Sequence, residues 1–315
     1  MTGTGQRAAS LGGGCRRSDV RAGATRAQRL DFGRVSTRPS RRGDALWLPA
    51  VLAAATVLVQ ISYPLLDGES LRTATVTVVL LFCLTSLAHA GLNLGAATAV
   101  RLLAVAGGAG LAAEAVGVRT GLPFGPYTYA GTLGPQVLGV PVVVPLAWTM
   151  MAYPCLLLGR RLTRGQDAGR TAAIAMVGGA ALASWDLFLD PQLVAAGHWT
   201  FDDPTPALPG VPGIPLTNYA GWLLVAVVMV AVLDVALPGT DGLDRRALAV
   251  PSALLAWTWL GSTLANLAFF GRPAVAGWGF VAMGLTVGPY LLSLRRHDGD
   301  LAGTPTTRAA ESVAS

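Results

Sequence analysis

The chain has 315 residues, of which 52% are hydrophobic and only 13% charged, and its mean hydropathy is +0.53. That is too little charge to coat a soluble domain of this size, so the composition places the chain in a membrane. Its net charge of +6 comes from 23 arginines, with no lysine, against 17 acids, and ten of the arginines precede residue 43. Beyond them the chain is close to neutral and has no basic stripe interleaved with aromatics, which excludes nucleic-acid binding.

Residues 1–44 are rich in Arg, Gly, Ser and Thr and lack an apolar segment of signal-peptide length, so they read as a disordered cytoplasmic tail or as a mis-set start. From residue 46 onward, apolar stretches near the ~20 residues that a bilayer core demands alternate with short polar breaks. Eight spans result, at about 46–66, 74–94, 99–117, 139–159, 171–190, 217–237, 247–270 and 274–293, the third and last being the weakest. Unbroken runs of this kind are helical, not the alternating strands of a barrel. The expectation is an all-α polytopic bundle over 45–295, followed by a second disordered tail over 296–315. Three cysteines, Cys15, Cys83 and Cys155, are too few and too scattered for a disulfide framework or a CxxC metal site.

Arginine placement orients the bundle, because cytoplasmic loops carry the excess of positive charge. With the N-terminus inside, the inside holds the ten tail arginines, Arg101, Arg160, Arg161, Arg164, Arg170, Arg245, Arg246, Arg295, Arg296 and Arg308. The outside holds only Arg72, Arg119 and Arg272. A multi-pass protein of the cell membrane with both termini cytoplasmic follows. Two outside segments, 118–138 and 191–216, are long and studded with Gly and Pro, and segments of that length tend to be functional. Gly107, Gly108, Gly110, Gly178 and Gly179 are expected to let helix backbones approach closely.

Ionisable groups inside apolar spans are expensive and mark candidate sites. Glu114 lies in the third span, and Asp186 and Asp190 lie in the fifth, spaced i, i+4 on one helix face. Two carboxyl groups so close tend to share a proton, leaving one as an acid at neutral pH; Asp190, beside Pro191, also fits a helix end at the interface. In the assigned orientation all three acids fall in the outer half. Arg119 is placed to pair with any of them, and Asn218 and Asn266 lie at the same depth, either as site residues or as interhelical hydrogen-bonding groups. His89 and Asn93, on the inner half of the second span, suit an interhelical bond; His198, in an outer loop, reads as solvated or as a proton shuttle. Trp148, Trp185, Trp222, Trp257 and Trp259 offer indole faces that stabilise a cation, a role favoured for Trp148 and Trp185, while the others fit interfacial anchors better.

Four ordered motifs carry a resemblance: Arg119-Thr120-Gly121-Leu122-Pro123-Phe124-Gly125-Pro126-Tyr127, Gly139-Val140-Pro141 to Trp148, Trp185-Asp186-Leu187-Phe188-Leu189-Asp190-Pro191, and Gly210-Val211-Pro212 to Gly221-Trp222. Over residues 46–295 the chain resembles the carotenoid biosynthesis membrane proteins, a family that includes carotenoid 1′,2′-hydratases and bisanhydrobacterioruberin hydratase. The resemblance implies addition of water across a terminal isopropylidene double bond of an acyclic carotenoid, giving a tertiary alcohol. Its implied partners are the acyclic carotenoid, the lipid bilayer and other enzymes of carotenoid synthesis. Such a reaction needs a dry acid to protonate the alkene and a base to deliver water. Asp186, Asp190 and Glu114 are the candidate catalytic groups, with Asp186 expected to be the more critical aspartate. Arg119, Tyr127, Trp148, Trp185, Asn218, Trp222 and Asn266 are the candidate substrate-binding set.

No cofactor or metal is expected, since the chain has no GxGxxG fingerprint or P-loop and its three histidines, His89, His198 and His297, are dispersed. Two other functions remain open at this point. An intramembrane prenyltransferase would use Asp186-x-x-x-Asp190 with a second acidic cluster, for which only Asp234, Asp241 and Asp244, at the opposite end of the bundle, are available. A small-molecule or proton-coupled transporter would use the buried acids as a relay, although no pair of interrupted helices recurs in the two halves.

Overall fold

A computed structural model describes residues 47–166 and 168–295. The expected tails at 1–44 and 296–315, with Cys15, Arg296, His297 and Arg308, lie outside the described residues. Within them, eight helical segments are long and apolar enough to cross a membrane, as the apolar runs anticipate. They are α1 (Trp47–Ile61) with a 3-10 turn (Tyr63–Leu65), α2 (Gly68–Leu94), a third span described below, α5 (Val143–Leu162), α6 (Arg170–Ala195), α7 (Leu216–Ala236), α8 (Arg245–Ala268) and α9 (Pro273–Arg295). The third span is α3 (Ala96–Leu102) continued through a π turn (Leu103–Gly107) into α4 (Gly108–Thr120). The chain is a multi-pass membrane protein.

α5 is the centre of the bundle, with 78% of its membrane window buried. Glycines set how closely its neighbours approach. A β-carbon on Gly159 of α5 would lie 2.8 Å from the Ile174 carbonyl oxygen, and one on Gly178 of α6 would lie 2.8 Å from that of Cys155, so these two helices cross backbone to backbone. Gly179 does the same for α6 and α7, since a β-carbon there would lie 2.7 Å from Val227 Cα. Gly108, expected to share this role, faces open space, while Gly107 in the π turn before it and Gly110 on α4 both meet α5.

Two of the prolines within the spans, Pro154 and Pro251, free carbonyls that α2 then satisfies. Pro154 has no N–H for Met150 O, and the Ser86 hydroxyl donates there at 2.8 Å. Pro251 likewise frees Ala247 O, to which His89 Nε2 donates at 2.5 Å. A carbonyl only accepts, so Nε2 carries the proton and Nδ1 accepts from the Tyr153 hydroxyl at 2.9 Å. Ser86 and His89, three residues apart on one face of α2, thus tie it to both α5 and α8. Asn93 donates to His89 O within its own helix and takes no part in this interhelical link.

At this end of the bundle Arg160 is buried, donating to Asp234 Oδ1 at 2.7 Å and to the carbonyls of Asp234, Leu237 and Pro238, which closes the C-terminus of α7. Arg161 is buried as well and donates to Ser293 O. Both were counted as loop charges in the sequence; they are in the last turn of α5, where a cation is favoured against the helix dipole.

The opposite end is capped by the two Gly- and Pro-rich connections, which are ordered rather than irregular. β1 (Tyr127–Tyr129) from the first pairs antiparallel with β4 (Trp199–Phe201) from the second. Two short hairpins flank this ribbon, β2 (Gln136–Val137) with β3 (Val140–Pro141), and β5 (Ala207–Leu208) with β6 (Val211–Pro215). The β2–β3 turn is made by Leu138 and Gly139, both with positive φ, so α5 begins at 143 and not at 139. The fifth span runs past its expected end: Pro191 sits inside α6, which continues to Ala195. Asp190 therefore lies within the helix, five residues before its last residue, rather than at its end.

Candidate active site

Glu114 sits on α4 between two glycines that make room for its partners. A β-carbon on Gly110, one turn before it, would lie 2.7 Å from Trp148 Cδ1, and one on Gly117, one turn after it, would lie 3.0 Å from the Tyr127 hydroxyl. With both positions bare, the two rings close onto the carboxylate. Trp148 Nε1 donates to Glu114 Oε1 at 3.1 Å, and Tyr127 and Tyr129 both donate to Oε2, at 2.5 Å and 2.8 Å. Three donors aimed at one carboxyl group match its ionised, acceptor-only form. The two phenols are pushed well above their ordinary range, first by burial and then by the Glu114 charge, and so remain donors.

The aspartates are supplied differently. Asn218 of α7 places its amide between them, donating to Asp186 Oδ2 at 2.9 Å and to Asp190 Oδ2. The two carboxyl groups are also within hydrogen-bond reach of each other, while Asp186 Oδ1 is buried without a partner. Both residues are buried, Asp186 completely. Trp199 is also within hydrogen-bond reach of Asp190, and two carboxyl groups this close together and this deeply buried are best accommodated with a proton between them.

Glu114, Asp190 and Asn218 meet at a cavity of about 60 Å³, large enough for several water-sized groups, whose remaining walls are largely aromatic and aliphatic. Trp148 and Trp222 form one wall, stacked at 3.9 Å between ring centroids, with Trp185 edge-on to Trp222 at 6.0 Å. The β1–β4 ribbon forms another. Strand alternation aims Tyr127 and Tyr129 from one strand and Trp199 and Phe201 from the other at the same cavity, and the register pairs Tyr127 with Phe201 and Tyr129 with Trp199.

Of the residues singled out in the sequence, Glu114, Asp190, Tyr127, Trp148, Asn218 and Trp222 line this cavity. Asp186 and Trp185 stand behind Asp190 and Trp222. Arg119 is not a partner of the acids: it is exposed, and its guanidinium donates back to Ala115 O in the last turn of α4. Asn266 is also elsewhere, donating to Ser262 O in its own helix. His198 is buried rather than solvated, with Nδ1 2.7 Å from Thr132 Oγ1, so it joins the two capping connections. Tyr129, Trp199 and Phe201 were missed; the alternation Tyr-x-Tyr and Trp-x-Phe was their signal, visible only once the connections are read as strands. Among the described residues no group of three or more His, Cys, Asp or Glu side chains is arranged to hold a metal ion.

The model of the carotenoid biosynthesis protein family matches residues 74–286, a stretch that contains every cavity residue named above. The chain is also 35% identical over 206 residues to bisanhydrobacterioruberin hydratase of Haloarcula japonica, an alignment spanning 62% of this chain and 64% of that protein's length. No solved structure matches. With a family model covering most of the membrane domain and the four motifs folded around one cavity, the chain belongs to the carotenoid biosynthesis protein family.

Proposed function

We propose that the protein is a cofactor-independent carotenoid hydratase that adds water to the terminal isopropylidene double bond of an acyclic carotenoid, giving a tertiary alcohol. The observation that carries this reading is the contrast between two carboxyl sites at one largely apolar cavity. Glu114 is held by three donors and suits a base, whereas Asp186 and Asp190 are close enough to share a proton, with the Asn218 amide between them and Trp199 beside Asp190, and suit an acid. The name of the relative from Haloarcula japonica supports the reaction class.

In the proposed mechanism Asp190, the pair's cavity-facing member, transfers its proton to the less substituted alkene carbon, and the tertiary cation forms at the neighbouring carbon. The Trp148 and Trp222 faces and the tyrosine rings stabilise this cation. Water adds to it and loses a proton to Glu114, so one O–C bond and one C–H bond replace the C=C π bond with no change of oxidation state. Asp186 and Asn218 act through Asp190, setting its proton affinity and rotamer. In the orientation given by the arginines, the cavity lies in the outer half of the membrane. The prenyltransferase reading loses its second acidic cluster, because Asp234 is bound by Arg160 and Thr171, Asp241 pairs with Arg170, and Asp244 caps α8.

The test is anaerobic incubation of the purified protein with an acyclic carotenoid in ¹⁸O-labelled water and, separately, in D₂O. The expected product is a tertiary alcohol carrying ¹⁸O, with deuterium on the adjacent carbon. Oxygen drawn from O₂, or an absolute need for a reductant, would sink the hydratase reading.

A further inference from the structure

Arg272 stands where a cation is least favoured. It immediately precedes α9, and its carbonyl accepts from the Ala276 N–H at 3.0 Å, which makes it the N-cap of that helix. A helix N-terminus carries a partial positive charge, so a guanidinium placed there is destabilised. No acid offsets it. Among the described residues Arg272 forms no ion pair, and its Nη1 is buried without a hydrogen-bond partner. The Phe270 ring, with its centroid 5.7 Å from the guanidinium carbon, offers a π face and no lone pair.

The same side chain lines a groove of about 520 Å³ at the capped end of the bundle. Pro191 and Val194 of α6 form one wall, Gly210 and Pro212 of the β5–β6 hairpin a second, and Arg272 with Ala274 the third. Gly210 lets the hairpin close against α9, since a β-carbon there would lie 2.6 Å from Ala274 Cβ. Apart from Arg272 the lining is wholly aliphatic, glycine or proline, and no residue of it is acidic. Ala274 and Val275, both on the wall, belong to the first turn of α9, where backbone N–H groups have no intrahelical partner. A guanidinium and a helix N-terminus thus converge on an apolar groove without a negative group. The groove shares no lining residue with the cavity of the carboxyl groups. Trp278, further along α9, marks its depth: the ring is 42% exposed and its indole N–H donates to Pro209 O of the same hairpin at 3.1 Å, as an aromatic anchor at a membrane interface does.

We infer that this groove seats an anionic phospholipid, with its phosphate against Arg272 and the start of α9 and its glycerol and first acyl carbons between α6 and the hairpin. An anion joined to an apolar body satisfies both parts of the groove. The guanidinium supplies paired N–H donors to phosphate oxygens, and the aliphatic walls cover hydrocarbon. Free phosphate would use only the first part. A zwitterionic headgroup would bring an ammonium to a place with two positive features and no carboxylate, so a lipid of net negative charge is selected. The inference does not depend on which reaction the protein catalyses.

Native mass spectrometry of the full chain in detergent, titrated with phosphatidylglycerol and separately with phosphatidylcholine of the same acyl chains, measures retained lipid, and thermal unfolding in the same mixtures measures its effect on stability. The wild type should hold phosphatidylglycerol more tightly than phosphatidylcholine and should unfold at a higher temperature with it. Arg272→Gln should weaken that affinity about tenfold, the loss expected for one charge-assisted hydrogen bond. Arg119→Gln, which removes an exposed arginine at the same end of the bundle, should leave it unchanged. Ala195→Trp fills the groove with Arg272 intact and should also weaken binding, which covers the case in which Arg272→Gln fails to insert. An equal loss in Arg119→Gln, or no loss in the groove variants, overturns the inference. Inorganic phosphate that raises the unfolding temperature as much as phosphatidylglycerol overturns it in favour of a free anion. A dimer that Arg272→Gln dissociates while lipid retention is unchanged overturns it in favour of a second copy of the chain.

Discussion

The indole of Trp148 packs directly on Gly110, where a β-carbon would lie 2.7 Å from Cδ1, and this contact sets the distance from Trp148 Nε1 to Glu114 Oε1 at 3.1 Å. The ring has nowhere to retreat, since its other neighbour is Trp222 at a stacking distance of 3.9 Å. Gly110→Ala should therefore cost about 1–3 kcal/mol by overpacking and should lower turnover further by displacing a Glu114 donor. Gly108→Ala, facing open space two residues earlier, is expected to be neutral or to stabilise by about 0.5–1 kcal/mol through helix propensity. Thermal unfolding of the two variants in one detergent checks the pair, and equal effects would contradict the packing.

Asp190 lines the cavity and Asp186 does not, so the proposed mechanism predicts the reverse of the order of importance expected from the sequence. Asp190→Asn should reduce turnover by about 10²–10⁴-fold, the usual contribution of a positioned acid, with normal insertion. Asp186→Asn should leave measurable activity, since the residue acts only through Asp190. Product yields from membranes with matched protein levels decide this, and an inactive Asp186→Asn beside an active Asp190→Asn would restore the original order.

Burial, and after it the charge of Arg72, holds His198 below its ordinary pKa. The unfolded chain then binds a proton more readily than the folded one as the pH falls through the histidine range. Stability contributed by neutral His198 is present above the unfolded value and is lost on acidification toward the lower folded value. The link between Thr132 and His198 should weaken in the same window. Thermal unfolding midpoints should fall as pH is lowered from 7.5 to 5, and His198→Gln should remove part of that slope. An identical slope in the variant would show that other groups carry the acid sensitivity.

Reporter fusions test the orientation on which the depth of the cavity depends. Fusions after Arg72 or Arg119 should report the outside, and fusions after Arg164 or Arg246 the inside. A reporter at residue 130, within the cap that covers the cavity, should share the side of Arg72; a cytoplasmic result there would invert the proposed depth.

The sequence by itself determined the membrane class, the eight spans and the three carboxyl groups to watch, because hydropathy reports depth along the bilayer normal and an acid at apolar depth is conspicuous. It also grouped Glu114, Asp186 and Asp190 at one end, since both helices cross in the same direction. Depth carries no information about rotation around a helix axis, and that is where the sequence stopped. Arg119 and Asn266 share the depth of the acids but point elsewhere, one exposed and one bonded to its own helix. Which aspartate faces the cavity was settled by the crossings at Gly178 and Gly179 and by the continuation of α6 through Pro191. The pairing of β1 with β4 joins segments about seventy residues apart with only three residues each. So short a ribbon leaves almost no periodic trace in the sequence and is held by tertiary packing, and it is this pairing that brings Tyr129, Trp199 and Phe201 over the carboxyl groups.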